Sequence, residues 1–119
     1  MTPQEASFVK YAINSYLGMK VTFFNQLHDA ALDFSCSPQR IIDAVSADNR
    51  IGYSHTRVPG FDGKKGFGGA CLPKDMNAFV KFNQDLTLIA ESVKINNKMR
   101  EEYELDEREK NNNIKFEDK

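Results

Sequence analysis

Glu5-Ala6-Ser7-Phe8-Val9-Lys10-Tyr11-Ala12-Ile13-Asn14-Ser15-Tyr16-Leu17-Gly18-Met19-Lys20-Val21-Thr22-Phe23-Phe24-Asn25 reads as helix throughout. Ile13, Leu17, Val21, Phe24, Leu27, Ala31 and Phe34 recur at intervals of three and four, the period of a helix with one buried face. Thr2 suits the N-cap and Pro3 the first helical position, so the helix is expected from about Thr2 to near Phe34. At about 1.5 Å per residue that is roughly 45 Å, long for a small domain. Tyr16, Met19, Phe23 and Ala30 form a second apolar stripe beside the first. One small domain cannot easily cover so wide a band, so partial burial against a second copy is expected; a core stripe within the monomer is the alternative. Lys10 and Asn14, four apart, stack on one side of the helix, and Gly18 leaves the surface open one turn on. By itself that pair also fits a solvated face.

The remainder extends an all-α pattern. Ser37 is placed to cap a short helix from Pro38 to about Ala47, with Ile41, Ile42 and Val45 inward. Residues 48–70 read as a glycine-rich loop carrying Arg50, His55, Arg57, Lys64 and Lys65. A third helix is expected from Pro73 to about Phe82, a turn at Asn83-Gln84-Asp85, and a fourth helix over about Leu86 to Tyr103. No strand and no internal repeat is expected. From Arg100 onward eight acidic residues face five basic ones, and the segment 105–119 reads as a polar, disordered tail to a domain at 1–104.

With 119 residues there is room for one domain, and 40% hydrophobic with 28% charged residues is ordinary for a globular one. The net charge of −1 argues against a general nucleic-acid binder, and the apolar runs are too short for a membrane span. Neither a signal-peptide core nor a disulfide framework is indicated, so a soluble cytoplasmic domain with reduced Cys36 and Cys71 is expected, Cys36 as a small packing residue. His28 and His55 belong to no cluster with metal-ligand spacing, so no metal is expected.

Chemistry concentrates in Gly66-Phe67-Gly68-Gly69-Ala70-Cys71-Leu72-Pro73-Lys74-Asp75. The glycines let backbone approach a ligand closely, and Pro73 suits the first position of the following helix. A thiol beside that helix start is favoured as the nucleophilic thiolate, with Asp75 one turn on to orient a water or a proton. A buried cysteine in a glycine-rich turn is the bland reading of the same residues.

Taken together, Glu5–Asn25, Arg50-Ile51-Gly52 and Gly66–Asp75 resemble, in order, three motifs of the central domain of the UDP-glucose/GDP-mannose dehydrogenase family, its UDP-glucose-oxidising branch above all. Leu72 departs from the phenylalanine common after the cysteine and removes no reacting group. The resemblance implies a helical domain like the C-terminal domain of 6-phosphogluconate dehydrogenase, paired as a homodimer through its long helix. It implies oxidation of the C6 alcohol of UDP-glucose in two steps, with NAD as acceptor and Cys71 forming a thiohemiacetal and then a thioester. Lys10 would stabilise the developing oxyanion, Asn14 would hydrogen-bond the same oxygen or the water, and Asp75 would position that water. Arg50 would reach the sugar in the neighbouring subunit's site, Arg57, Lys64 or Lys65 would meet the diphosphate, and Phe67, Gly68 and Gly69 would line the substrate. A merely solvated basic loop is equally compatible with those cations.

Gly66-Phe67-Gly68-Gly69 is no dinucleotide fingerprint: it lacks the third glycine and follows no strand. NAD is therefore expected on a domain absent from this chain, possessed by a separate partner or by the rest of a longer enzyme. The alternative is a non-enzymatic homolog or remnant that dimerises with full-length dehydrogenases.

Overall fold

The computed structural model describes residues 1–117, and among them there are five helices and no strand. α1 spans Pro3–Asp33, α2 Pro38–Ser46, α3 Cys71–Phe82, α4 Thr87–Arg100 and α5 Glu107–Asn111. The expected all-α architecture with a long N-terminal helix is what forms. Local chemistry starts α1: Thr2 accepts the Glu5 N–H, the Glu5 carboxylate accepts the Thr2 N–H, and Pro3 has no N–H to leave unpaired. Its 31 residues match the 45 Å long axis of the molecule. At α2 Ser37 accepts the Arg40 N–H and Pro38 takes the first position, without a carboxylate to close the cap in return.

The buried side of α1 is only partly the expected one: Phe24 and Ala31 are buried and Leu17, Val21 and Leu27 half-buried, but a second inward row was not foreseen. Ser15, Gly18, Thr22 and Asn25, at steps of three and four, face inward, whereas Ile13 and Phe34 are exposed. Small residues are needed because α3 packs very closely: the Met76 sulfur occupies the space a side chain at Gly18 would take, and Met76 is fully buried. Phe24 and Ala31 are buried as well, and α2 packs on α1 with its Ile42 buried. Lys20 ties the following loop to α1, donating from Nζ to the carbonyls of Ile51 and Gly52 at 2.8 and 3.3 Å. The stripe of Tyr16, Phe23 and Ala30 lies exposed in the single chain.

α3 and α4 follow each other through a short turn and pack on each other and on α1. α3 begins two residues before the expected start, at Cys71, so Pro73 falls third; a proline there still costs no intrahelical bond. Cys36 is exposed rather than packed. The segment expected as a disordered tail instead carries α5, with a capping box between Asp106 and Glu109, and returns Ile114 to the interior. Asp118 and Lys119, the end of that expected tail, lie outside the described residues. Among the described residues no helix is long and apolar enough to cross a membrane.

Candidate active site

Residues from the two ends of the close α1–α3 packing meet at one point. Asn14 donates from Nδ2 to Asp75 Oδ2 at 2.6 Å, and Lys10 Nζ lies 3.8 Å from the same oxygen. Asp75 is buried, with a side chain 7% exposed, while that of Lys10 is 65% exposed. A buried carboxylate needs such partners, and the short amide bond supplies the first of them. The ammonium, by contrast, is held loosely: an exposed ion pair at this distance is weak, so Lys10 remains available to a developing negative charge nearby. Cys71 is exposed at the first position of α3, one turn before Asp75, with no side chain capping that helix end. Unpaired N–H groups of the first turn therefore stand beside the thiol. Sequence spacing gave each pair separately; the structure brings Lys10, Asn14 and Asp75 together and sets Cys71 on the same helix as Asp75.

The glycine-rich loop before Cys71 is held by a set of buried polar groups. Asn96, 1% exposed, accepts the Phe67 N–H at 2.7 Å and donates to the Phe67 carbonyl at 2.9 Å. Asn25 accepts the Gly66 N–H at 3.1 Å, and Arg100 donates to the Gly66 carbonyl at 3.0 Å. The Arg100 guanidinium is buried and pairs with Asp62 at 2.9 Å. Gly68 must lack a side chain because Arg100 and Glu109 fill the space where one would start. The Phe67 ring is buried near Gly18, so the ring serves packing.

Of these groups Asn25 lies in the first sequence motif, and Asn96 and Asp62 lie in stretches that also resemble the family; Arg100 was not singled out. Asn96 and Arg100 lie four apart on one helix face, a spacing that could have flagged them. Asp106 and Glu109 have the spacing of a capping box.

The loop cations do not join the cluster. Arg50 is exposed and paired with Asp48 at 2.8 Å; that bond raises the guanidinium pKa and lowers the carboxyl pKa. Arg57 lies over the Phe61 ring at 4.6 Å. Lys65 pairs with Asp29 at 2.5 Å, and Lys64 donates to the Glu104 carbonyl at 2.8 Å. Two grooves lie away from the thiol. One of about 230 Å³ is lined by Phe8, Tyr11, Phe79 and Phe82, and one of about 530 Å³ lies among α3, α4 and residues 112–117.

Residues 4–100 match the model of the UDP-glucose/GDP-mannose dehydrogenase family, central domain. A UDP-glucose 6-dehydrogenase of Rhizobium meliloti is 32% identical over 80% of this chain and 22% of its own length. One from Campylobacter jejuni is 43% identical over 63% of this chain and 18% of its own. A GDP-mannose 6-dehydrogenase of Pseudomonas aeruginosa is 33% identical over 65% and 17%. The chain thus spans about a fifth of the length of the curated relatives it matches. No solved structure matches it.

Proposed function

Because the chain belongs to the UDP-glucose/GDP-mannose dehydrogenase family, as its central domain, we propose that it supplies the nucleophile and the pairing surface of a UDP-glucose 6-dehydrogenase. The observation that carries this reading is the convergence of Lys10 and Asn14 on Asp75, one helical turn from the exposed Cys71. Once the C6 alcohol has been oxidised to the aldehyde, the Cys71 sulfur adds to its carbonyl carbon and the oxygen becomes the alkoxide of a thiohemiacetal. Lys10 stabilises that charge, and the proton goes to this oxygen or to water. Oxidation of the thiohemiacetal carbon gives the thioester. A water positioned by Asp75 then attacks it, releasing the carboxylate and returning the thiol. Asn14 aims Asp75 by donating to Oδ2, which leaves Oδ1 for the water.

NAD supplies the hydride acceptor for both oxidations. The described residues do not fit it: a dinucleotide is held by a strand–turn–helix unit, and no strand is present among them. NAD is accordingly assigned to a part of the enzyme beyond this domain. Val9, Ile13, Tyr16 and Phe23, all about half exposed on α1, form the surface through which two copies pair, and Arg50 reaches from one copy toward the other's sugar. The same exposed row favours a second reading, a non-catalytic homolog that pairs with complete dehydrogenases.

Native alkylation separates the two. Cys36 and Cys71 are both exposed, so access alone gives similar rates with iodoacetamide at neutral pH. A built nucleophile site makes Cys71 the faster, and Lys10→Ala slows it. Equal rates, unaffected by Lys10→Ala, would count against the catalytic reading.

A further inference from the structure

Resting on the assignment of Cys71 as the reacting thiol, we propose that Glu109 is a positioning residue: it anchors the Gly66–Gly69 loop and, through it, the helix start that carries Cys71. Glu109 lies beyond residues 4–100, which the family model matches. The segment it belongs to grips the loop along its length. Lys64 Nζ reaches the Glu104 carbonyl at 2.8 Å, the Lys65 N–H points to the Tyr103 hydroxyl at 3.4 Å, and Gly69 donates its N–H to Glu109 Oε2 at 2.8 Å.

Both carboxylate oxygens of Glu109 are committed. Oε1 accepts the Asp106 N–H at 2.9 Å and so closes the start of α5; Oε2 takes the Gly69 N–H and stands 3.8 Å from Arg100 Nη1. Glu109 is 1% exposed and faces Arg100, itself 2% exposed. A group with two acceptor oxygens facing opposite ways is required: glutamine would turn its NH2 toward one of the two N–H donors. Gly69 stands two residues before Cys71, and Ala70 at the N-cap makes no side-chain bond. The Gly69–Glu109 bond is therefore the anchor nearest the thiol on the loop side. Released, the first turn of α3 frays and Cys71 loses the helix end beside it.

Residue-resolved amide hydrogen exchange on the full chain tests this. In the unaltered protein the Gly69 amide should be protected to a degree similar to that of Phe67, which Asn96 holds; a freely exchanging Gly69 overturns the proposal without any variant. In Glu109→Ala, which removes both acceptors, Gly69 should exchange at least about tenfold faster while Phe67 is unchanged. Iodoacetamide should then modify Cys71 several-fold more slowly, measured against Cys36 in the same sample. Glu107→Gln, which removes an exposed charge from the same helix, should alter neither quantity. Equal loss of protection at Gly69 and Phe67 would make Glu109 a general stabiliser, and unchanged Cys71 alkylation with Gly69 released would sever the link; either overturns the proposal. No readout involves a nucleotide sugar or NAD, so failure here and failure of the dehydrogenase reading are separately visible.

Discussion

Replacing Asn96 by alanine removes both bonds by which its amide holds Phe67 in the loop before Cys71. The amide grips Phe67 on both sides, at 2.7 Å to its N–H and 2.9 Å to its carbonyl, and both bonds are buried. Truncation leaves a donor and an acceptor without partners. At about 1–3 kcal/mol for each of the two buried groups left unsatisfied, the loss comes to roughly 2–6 kcal/mol. For a domain of this size, a loss near 3 kcal/mol lowers the melting midpoint by roughly 10 °C. Thermal and urea unfolding followed by helical circular dichroism measures it. Asn77→Ala is the control, since Asn77 makes a single bond to the Pro73 carbonyl at 2.8 Å at a half-buried position; its cost should stay within about 1 kcal/mol. If Asn96→Ala melted within about 2 °C of the parent, the loop would not be held by this clasp.

Gly18→Ala should destabilise the chain although alanine is the better helix former: the Met76 sulfur fills the space, and the overpacking cost of roughly 1–3 kcal/mol exceeds the propensity gain of about 1 kcal/mol. A raised melting midpoint in the same unfolding assay would show that Met76 moves aside freely. The Asp106 carboxyl is lowered from its ordinary value, chiefly by the Glu109 N–H it accepts and then by Arg108. A depressed folded pKa means that its contribution is present above the unfolded value and disappears as pH falls through the folded one. NMR titration should therefore find Asp106 titrating below an ordinary aspartate, with α5 amide protection lost only in acid; an ordinary titration would contradict the cap. Tyr16→Glu with Phe23→Glu should convert a dimer into a monomer by sedimentation at tens of micromolar, whereas a monomeric parent chain would remove the pairing surface.

The helix starts were legible because local chemistry writes them: Thr2 with Pro3, and Ser37 with Pro38, each place a cap and a proline where a helix begins. The inward face of α1 was legible only at residues such as Phe24 and Ala31, because hydrophobicity misreports a seam chosen for close approach. Ser15, Gly18 and Thr22 are buried for their size, while Ile13 stays outside. At the site, the four-residue spacings of Lys10 with Asn14 and of Cys71 with Asp75 were visible in the chain. Their meeting across 61 residues from Asn14 to Asp75 needed either a fold or a family resemblance. The Arg100–Asp62 and Glu109–Gly69 contacts had no such help. Ion pairs between distant residues leave no periodic trace, and a charged stretch such as 101–110 reads as solvated until a structure shows a buried partner.

The catalytic assignment is decided by transplanting residues 4–111, α5 with Glu109 included, into the Rhizobium meliloti UDP-glucose 6-dehydrogenase in place of the corresponding segment, then following NADH formation with UDP-glucose. The graft should form two NADH per sugar oxidised, and Cys71→Ala within it should stop turnover. A folded graft that binds UDP-glucose yet makes no NADH, or one whose turnover to the acid survives Cys71→Ala, would show that Cys71 and its neighbours are not the nucleophile site described here.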